Sequence, residues 1–281
     1  MTKSDEADVS PRVIAVSSGK GGVGKTFFSI HLAEKAAQQG LRVLLLDADL
    51  GMANVDVMLG ISGQGSIKQV FAGTAHLSDM LVRAKQGFDV LPGGSGFAEL
   101  AALNSFQQQL LMDEMREIAK DYDLVLIDTA AGIGDNVIFF VASAESSLIV
   151  LTPEPTSLTD AYALIKVLSK QRDVHRFMVA VNQSDAFDGE LTFRRLMSVA
   201  DRYLDVQLDY VGCMPQSQEV RRAIQHQDML LEGEARKPLD MVLSSVLSRP
   251  RDVSRRSGLQ FFWEHSLGQS MDEDTAVGAS A

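Results

Sequence analysis

Residues 17–29 read SSGKGGVGKTFFS, which places four glycines and two lysines between an apolar run and a segment with a helical pattern. Gly19, Gly24, Lys25 and Thr26 fit the spacing G-x-x-x-x-G-K-[ST], after a strand pattern and before a helix pattern. Glycines let backbone N–H groups turn towards phosphate oxygens, and the following helix adds the positive end of its dipole. The stretch therefore predicts a phosphate-binding loop, with Lys25 on the β- and γ-phosphates and the Thr26 hydroxyl on Mg²⁺.

Short apolar runs alternate with longer helical patterns along the rest of the chain, which is typical of βα units. The helical patterns cover 24–39, 97–120, 156–171, 189–204, 217–227 and 237–248. The strand candidates are 12–18, 42–48, 88–93, 123–130, 146–154, 176–182 and 208–215. We predict an α/β fold of the P-loop NTPase type, with a mostly parallel central β-sheet flanked by helices. Ligands of such sheets bind at the carboxyl ends of the strands, so polar residues there should converge.

The length of 281 residues suits one domain with tails. After the last helical pattern the chain is polar, basic and interrupted by Pro250 and Gly258, as linkers are. The predicted organisation is a flexible N-terminal tail at 1–11, an ATPase domain at 12–248, a linker at 249–258, an amphipathic helix at 259–268 and a flexible acidic tail at 269–281.

Composition excludes several classes of protein. The net charge of −11 argues against a protein that coats DNA, and we expect no specific DNA binding. The single cysteine, Cys213, cannot form an internal disulfide or a cysteine-only metal site. The N-terminal residues lack the apolar core of a signal peptide, and no apolar run approaches the roughly 20 residues of a membrane span. We therefore expect a cytoplasmic protein with at most peripheral membrane contact.

Carboxylates follow two of the apolar runs. The stretch LLLDADLGMANVD places Asp47 and Asp49 just past a buried strand, and DLVLIDTAAG ends a second run in Asp128. An aspartate at the end of such a strand is typical of a Walker B motif, so Asp128 should hold a Mg²⁺-bound water. The backbone that follows, at Ala131 and Gly132, is placed to sense the γ-phosphate and would act as a switch when that phosphate leaves.

The second lysine of the loop, Lys20, makes the motif K-G-G-x-G-K-[ST]. This motif resembles the deviant Walker A loop of the MinD/ParA/Mrp superfamily of nucleotide-switch ATPases. In that family the early lysine reaches across a dimer interface to the nucleotide of the partner subunit. The resemblance implies that Lys25 belongs to the chain's own ATP and Lys20 to its neighbour's. A solvated surface lysine is the alternative interpretation.

The resemblance also implies roles for individual residues. Asp49 would lie near the attacking water and Mg²⁺, Asp47 in the outer sphere of the metal, and Asn54 near the γ-phosphate. Asn182 and the loop after the last strand would contact the base, although Ser217 stands where the family has aspartate. The catalytic set is then Asp49, Lys20 and Lys25, and the metal set is Thr26, Asp49, Asp128 through water and Asp47 in the outer sphere. The nucleotide-binding set is Gly19, Lys20, Gly21, Gly22, Val23, Gly24, Lys25, Thr26, Phe27, Asn54, Gly132, Asn182, Met214, Pro215 and Gln216.

Four longer blocks are most similar to the FlhG/FleN family, the MinD-like ATPases that limit the number of polar flagella: LLDADLGMANVDVMLG, LIDTAAGIGDNV, PEPTSLTDAYALIK and LQFFWEHSL. This resemblance implies a slow, Mg²⁺-dependent ATPase that forms a homodimer with ATP, at the cell membrane or pole. The implied partners are a FleQ-type transcriptional activator, which the dimer restrains, and the GTPase FlhF. The N-terminal tail has no match to the D-Q-A-x-x-L-R activation motif, so we do not expect this tail to stimulate FlhF.

The predicted C-terminal helix carries Leu259, Phe262, Trp263 and Leu267 on one face. About ten residues are marginal for an isolated helix, so the segment should fold only against another surface. Two interpretations stay open: a permanently docked core helix, and a reversible latch or membrane contact.

Other functions share the same loop. A MinD-type division-site protein and a ParA-type partitioning ATPase are the alternatives within the superfamily, and the acidic charge disfavours the second. The iron protein of nitrogenase needs two cluster cysteines in each chain, which Cys213 alone cannot supply. A binding module that does not hydrolyse ATP is disfavoured by the intact Lys25, Thr26, Asp49 and Asp128.

Overall fold

The computed structural model describes residues 11–49, 55–61, 65, 67–93 and 105–250. Several sequence predictions lie outside these residues: the tail before Pro11, the γ-phosphate residue Asn54, the linker beyond Pro250, the helix at 259–268 and the acidic tail. Those predictions stay untested.

The described residues contain one eight-stranded sheet. Its strands are β1 (Arg12–Ser18), β2 (Val43–Ala48), β3 (Val82–Arg83), β4 (Asp89–Leu91), β5 (Leu124–Ala131), β6 (Ser146–Leu151), β7 (Arg176–Asn182) and β8 (Gln207–Met214). Their order across the sheet is β3-β4-β2-β5-β1-β6-β7-β8. Only the pair of β3 and β4 is antiparallel among the described strands, so the predicted mostly parallel sheet is confirmed.

The described helices are α1 (Lys25–Gln38), α2 (Val55–Leu59), α3 (Ile67–Phe71), α4 (Ser105–Ala119), α5 (Asp135–Ser143), α6 (Pro155–Arg172), α7 (Ala186–Tyr203), α8 (Gln218–Gln225) and α9 (Arg236–Leu247), with a 3-10 turn at Leu77–Met80. None of them is long and apolar enough to cross a membrane.

The sheet is buried on both faces, as parallel sheets are. In β1, Val13 and Ala15 pack into the core shared with α5, α6 and α7, whereas Ile14 and Val16 pack into the core shared with α1 and α9. This alternation explains why the central strands are continuous apolar runs in the sequence.

Helix α1, which follows the phosphate-binding loop, is fastened to α9 by ion pairs. The Arg236 guanidinium lies 2.9 Å from the Glu34 carboxylate, and Lys35 lies 3.0 Å from Asp240. Glu34 is only 2% exposed, so its charge is held by a partner inside the protein instead of by water. These contacts fix the position of the helix that carries Lys25.

The structure adds elements that the sequence patterns did not indicate. Helix α5 was not predicted, because the apolar run NVIFFVAS shows no period that separates a helix from a strand. Helix α7 begins three residues earlier than predicted, because the Asp185 side chain accepts a hydrogen bond from the Asp188 N–H and caps it. The short elements α2, α3 and β3 were also missed.

Candidate functional site

The loop between β1 and α1 lies at the carboxyl edge of the sheet and depends on two glycines. A Cβ on Gly19 would lie 2.2 Å from the backbone carbonyl of Asp160 in α6, so only glycine allows α6 to pack this closely. Gly24 has φ near 100°, a left-handed conformation that side chains disfavour. A Cβ at Gly24 would also lie 2.3 Å from the Asn182 amide nitrogen. The loop is therefore held from α6 on one side and from the end of β7 on the other.

The first turn of α1 offers backbone donors. Its N-cap is Gly24, and no side chain caps the helix. The N–H groups of Lys25, Thr26 and Phe27 precede the first hydrogen bond of the helix, which Phe28 makes to the Gly24 carbonyl. Uncapped donors at the positive end of a helix dipole fit an anion such as a nucleotide phosphate.

Lys25 is the buried cation of the site, at 7% exposure. Burial lowers the pKa of Lys25, and the charges of Asp128 and Asp49 oppose that shift. A positive charge that is already removed from water attracts phosphate more strongly than a surface lysine does, and the two nearby carboxylates offset part of this attraction.

Asp128 lies in the buried part of β5 and accepts two hydroxyl hydrogen bonds from α1. Thr26 Oγ1 donates to its Oδ2 at 2.7 Å, and Ser29 Oγ donates to its Oδ1 at 2.9 Å. Burial raises the pKa of Asp128 to about 6, against the lowering effects of the Thr26 hydrogen bond and the Lys25 charge. Because the Thr26 proton points to Asp128, the lone pairs of the Thr26 hydroxyl are left for a cation.

Asp47 lies beside Asp128 on the neighbouring strand β2. Burial raises the pKa of Asp47 to about 7, and the charge of Asp128 adds to the rise. Asp47 accepts hydrogen bonds from the N–H groups of Asp49 and Val55, so it shapes the turn after β2. Asp49 itself is half-buried and lies close enough for its charge to act on Lys25.

The predicted metal ligands are oxygen atoms, which Mg²⁺ prefers. In the part of the chain that the structure describes, no three His, Cys, Asp or Glu side chains form a group that could hold a metal alone. A hydroxyl beside a buried carboxylate agrees with Mg²⁺, which keeps several waters and binds together with substrate phosphates. The residues therefore fit Mg²⁺ that arrives with a nucleotide.

Lys20 lies away from the other lysine. Its Nζ contacts the Glu154 carboxylate at 2.5 Å and the Thr156 hydroxyl at 3.1 Å, at the start of α6. The Lys20 carbonyl accepts a hydrogen bond from Ser18 Oγ, which fixes the backbone of the loop at this point. The Lys20 side chain is 38% exposed, whereas Lys25 is buried. The two lysines thus occupy different environments within one loop.

The residues predicted to contact the base lie at the ends of β7 and β8. The Asn182 amide donates to the Val23 carbonyl at 2.7 Å, and its Oδ1 accepts from the Gln183 N–H. Asn182 therefore braces the phosphate loop and keeps one N–H and one lone pair for another partner. Met214 is fully buried, Pro215 half-buried and Gln216 exposed.

Ser217, which departs from the family pattern, caps α8 by accepting a hydrogen bond from the Glu219 N–H. The loop after β5 is tied to the phosphate loop at another point, because the Gly132 N–H donates to the Ser18 carbonyl at 2.9 Å.

Four residues of the site were not found from the sequence. Ser29 stands three residues after Thr26, which places it on the same side of α1, and this spacing was an available signal. Glu154 and Thr156 hold Lys20 across more than 130 positions of sequence, and no local pattern indicates that contact. His31 bridges α1 to the segment after α8, since its Nδ1–H donates to the Phe27 carbonyl and its Nε2 accepts from the Leu230 N–H.

A mostly parallel sheet, a glycine loop leading into an uncapped helix, and a buried lysine close to a buried aspartate of the neighbouring strand together define a P-loop nucleotide-binding protein. Comparisons with known proteins agree. The family model described as an AAA domain matches residues 11–180. The antiactivator FleN of Pseudomonas aeruginosa is 41% identical over 258 residues, which cover 90% of this chain and 92% of that protein. The flagellum site-determining protein YlxH of Helicobacter pylori is 32% identical over 220 residues, covering 78% and 74%.

Among solved structures, the MinC:MinD cell division protein complex of Aquifex aeolicus aligns with a TM-score of 0.66 and 26% identity. The alignment covers 85% of this chain and 97% of the other. The chain belongs to the MinD/ParA superfamily of P-loop ATPases and, within it, to the FleN/FlhG family.

Proposed function

We propose that this protein is an ATP-dependent dimerising switch that hydrolyses ATP slowly with Mg²⁺ and regulates the number of polar flagella. Its dimer would bind and restrain a FleQ-type activator of flagellar transcription, in the cytoplasm or at the inner face of the membrane. The names of two relatives support this proposal, since one is an antiactivator and the other a flagellum site-determining protein. FlhF remains a second proposed partner.

The observation that carries the switch is the separation of the two lysines. Lys25 is buried among the carboxylates of its own site, whereas Lys20 lies outside it on Glu154 and Thr156. A partly exposed cation on a phosphate-binding loop can serve a nucleotide held by a second copy of the chain. Lys20 would have to leave Glu154 to do so, and the monomer contact would then oppose dimerisation until ATP is present.

Hydrolysis would use residues already close together. Asp49 would place the attacking water, and Lys25 with the partner's Lys20 would neutralise the charge that develops on the transferred phosphoryl group. The Thr26 hydroxyl and, through water, Asp128 would hold Mg²⁺, which would supply positive charge against the phosphate oxygens.

The γ-phosphate would be sensed by the backbone at Gly132. In the structure this N–H is bonded to the Ser18 carbonyl. We propose that the N–H exchanges this carbonyl for a phosphate oxygen when ATP binds and returns to it after hydrolysis, which would move the loop that leads into α5.

The first experiment is the solution mass of the Asp49→Ala protein with ADP and with ATP plus Mg²⁺, by light scattering after size exclusion. A monomer with ADP and a dimer with ATP would support the switch. A mass that does not change with nucleotide would overturn it. Lys20→Ala in the same background should stay monomeric while still binding nucleotide.

Phosphate release tests the enzymatic part separately. Wild type should release phosphate from ATP, and Asp49→Ala and Lys20→Ala should not. Equal rates for wild type and Asp49→Ala would refute the role of Asp49 in hydrolysis.

A further inference from the structure

Two hydroxyl groups of α1 meet the same buried carboxylate. Thr26 Oγ1 donates to Oδ2 of Asp128 at 2.7 Å, and Ser29 Oγ donates to Oδ1 at 2.9 Å. Ser29 and Asp128 are both fully buried. Ser29 stands nearly one turn further along the helix than Thr26. The proposed Mg²⁺ site uses Thr26 and Asp128, and it leaves the function of the Ser29 hydroxyl open.

The Ser29 hydroxyl has one proton and two acceptors within reach. The Lys25 carbonyl lies 3.1 Å from its oxygen, and Oδ1 of Asp128 lies 2.9 Å away. A bond to the carbonyl four residues earlier is the common use of a serine inside a helix. In the helical ladder, however, that carbonyl already accepts the Ser29 N–H. Because a hydrogen bond to a charged acceptor is the stronger one, the proton goes to Asp128.

Ser143 in α5 is an example of the common use. It is also buried, and its hydroxyl donates to the Phe139 carbonyl, four residues earlier, at 2.7 Å. Among the described residues, no carboxylate accepts a hydrogen bond from Ser143. Ser29 differs by its contact with Asp128, which joins α1 to β5 across 99 positions of sequence.

Two donors constrain a carboxylate more than one donor does. The last torsion of an aspartate side chain is broad, so a carboxylate held at one oxygen can turn about its Cβ–Cγ bond. Thr26 on one oxygen and Ser29 on the other fix the plane of the Asp128 carboxylate. Ser29 also satisfies an oxygen that water does not reach. Without the Ser29 hydroxyl, this buried carboxylate would lose one of its two hydroxyl donors and would be able to turn.

We propose that Ser29 is a positioning residue for the complex of Mg²⁺ and nucleotide. By holding Oδ1 of Asp128, it keeps Oδ2 on the Thr26 proton, so that the lone pairs of the Thr26 hydroxyl stay available to the cation. Ser29 acts through Asp128 and does not touch the ligand. The inference rests on the proposed function, because it requires that a nucleotide brings Mg²⁺ to Thr26 and Asp128.

The test compares the affinity of the full chain for a fluorescent nucleotide, N-methylanthraniloyl-ADP, in excess Mg²⁺ and in EDTA. ADP has no γ-phosphate to hydrolyse, so the comparison reports binding alone. Wild type should bind more tightly in Mg²⁺, and the ratio of the two dissociation constants is the magnesium effect. Ser29→Ala should reduce the magnesium effect at least about fivefold. It should leave the affinity in EDTA within about twofold, because Lys25 and the backbone donors of α1 bind phosphate without Ser29.

Ser143→Ala is the matched control, since it removes a buried helical hydroxyl that has no carboxylate partner among the described residues. Both of its affinities should stay within about twofold of wild type. Ser29→Cys fills the space of the serine with a weak donor, and it should reduce the magnesium effect as Ser29→Ala does. Thermal unfolding of each variant checks that the fold is intact.

A double mutant tests whether Ser29 acts through Asp128. In the Asp128→Asn background the carboxylate is already absent, so adding Ser29→Ala should change the magnesium effect by less than about twofold. A further loss as large as the one that Ser29→Ala causes in wild type would overturn the proposal.

The role of Ser29 would also be overturned if Ser29→Ala or Ser29→Cys kept the full magnesium effect. Equal weakening of binding in Mg²⁺ and in EDTA would overturn it as well, because that result means a general loosening of α1. These outcomes leave the proposed Mg²⁺ site standing, since wild type still shows the effect. A wild type that binds equally well in Mg²⁺ and in EDTA would overturn the Mg²⁺ part of the proposed function, and the role of Ser29 with it.

Discussion

The carboxyl edge of the sheet has two halves that are built differently. In the phosphate half, at the ends of β1, β2 and β5, Lys25 is buried and Asp128 accepts hydrogen bonds from Thr26 and Ser29. In the base half, at the ends of β7 and β8, Asn182 is buried but Gln216 is exposed. The phosphate half is therefore braced by hydrogen bonds between buried side chains, whereas the base half combines one buried amide with an exposed side chain. Four substitutions test this difference.

The largest effect is expected from Gly19→Ala in the phosphate half. The new Cβ would lie 2.2 Å from the Asp160 backbone, so α6 or the loop must shift. We expect a loss of at least about 3 kcal/mol in the free energy of unfolding, measured with urea. Gly21→Ala is the control, because a Cβ there has nothing within 4 Å and should change the stability by less than about 0.5 kcal/mol. Equal unfolding midpoints would contradict the tight contact with α6.

The next effect concerns His31, which links α1, the helix after the phosphate-binding loop, to Leu230 in the segment after α8. Burial lowers the pKa of His31 to about 4, and the positive charge of Arg236 lowers it further. The hydrogen bond to the Phe27 carbonyl and the negative charge of Asp240 oppose this shift. Because His31 binds a proton more tightly in the unfolded chain, neutral His31 contributes fully to the stability of the folded chain above pH 6.5. This contribution to the free energy of unfolding is lost as the pH falls towards 4. The loss amounts to about 3 kcal/mol.

His31→Phe should remove that part of the pH dependence of urea unfolding, while keeping an aromatic ring against Phe27. His226→Phe, at an exposed position, should leave the dependence as in wild type. The assignment fails if His31→Phe and wild type lose the same stability between neutral pH and pH 4.5.

The third effect concerns ligand binding. Lys25→Ala should weaken ATP affinity about 10- to 100-fold, because the loss of a hydrogen bond to a charged group costs about 1.5–3 kcal/mol. Titration calorimetry at protein concentrations that keep the chain monomeric measures the effect. Lys20→Ala should leave this monomer affinity within about threefold, because Lys20 lies on Glu154 outside the site. Similar losses for both variants would mean that the two lysines share one nucleotide.

The smallest effect is expected from Ser217→Asp in the base half. Aspartate caps a helix about as well as serine, so α8 and the stability should be preserved. A carboxylate beside the base accepts from the amino group of adenine and repels the oxygen of guanine, so the preference for ATP over GTP should rise a few-fold. Competition binding measures the ratio. An unchanged ratio would place the base away from this loop.

Local sequence rules address the phosphate half more directly than its surroundings. The loop at 19–26 is encoded by consecutive residues, and the part of β5 that leads to Asp128 is a continuous apolar run, so local rules identify both. Helix α5 was missed because a run buried on all sides has no period. The cap of α7 by Asp185 was a local signal, and it would have corrected the start of that helix.

The sequence by itself determined that this chain is a P-loop protein with a second lysine, because the residues of the loop and of the strand before it are consecutive in the sequence. Only the tertiary structure decided that Lys20 lies on Glu154 and that Asp47 stands beside Asp128. Each of these contacts joins segments that are distant along the chain. Which of them meet is settled by how the helices pack on the two faces of the sheet, and no short pattern of residues records that choice.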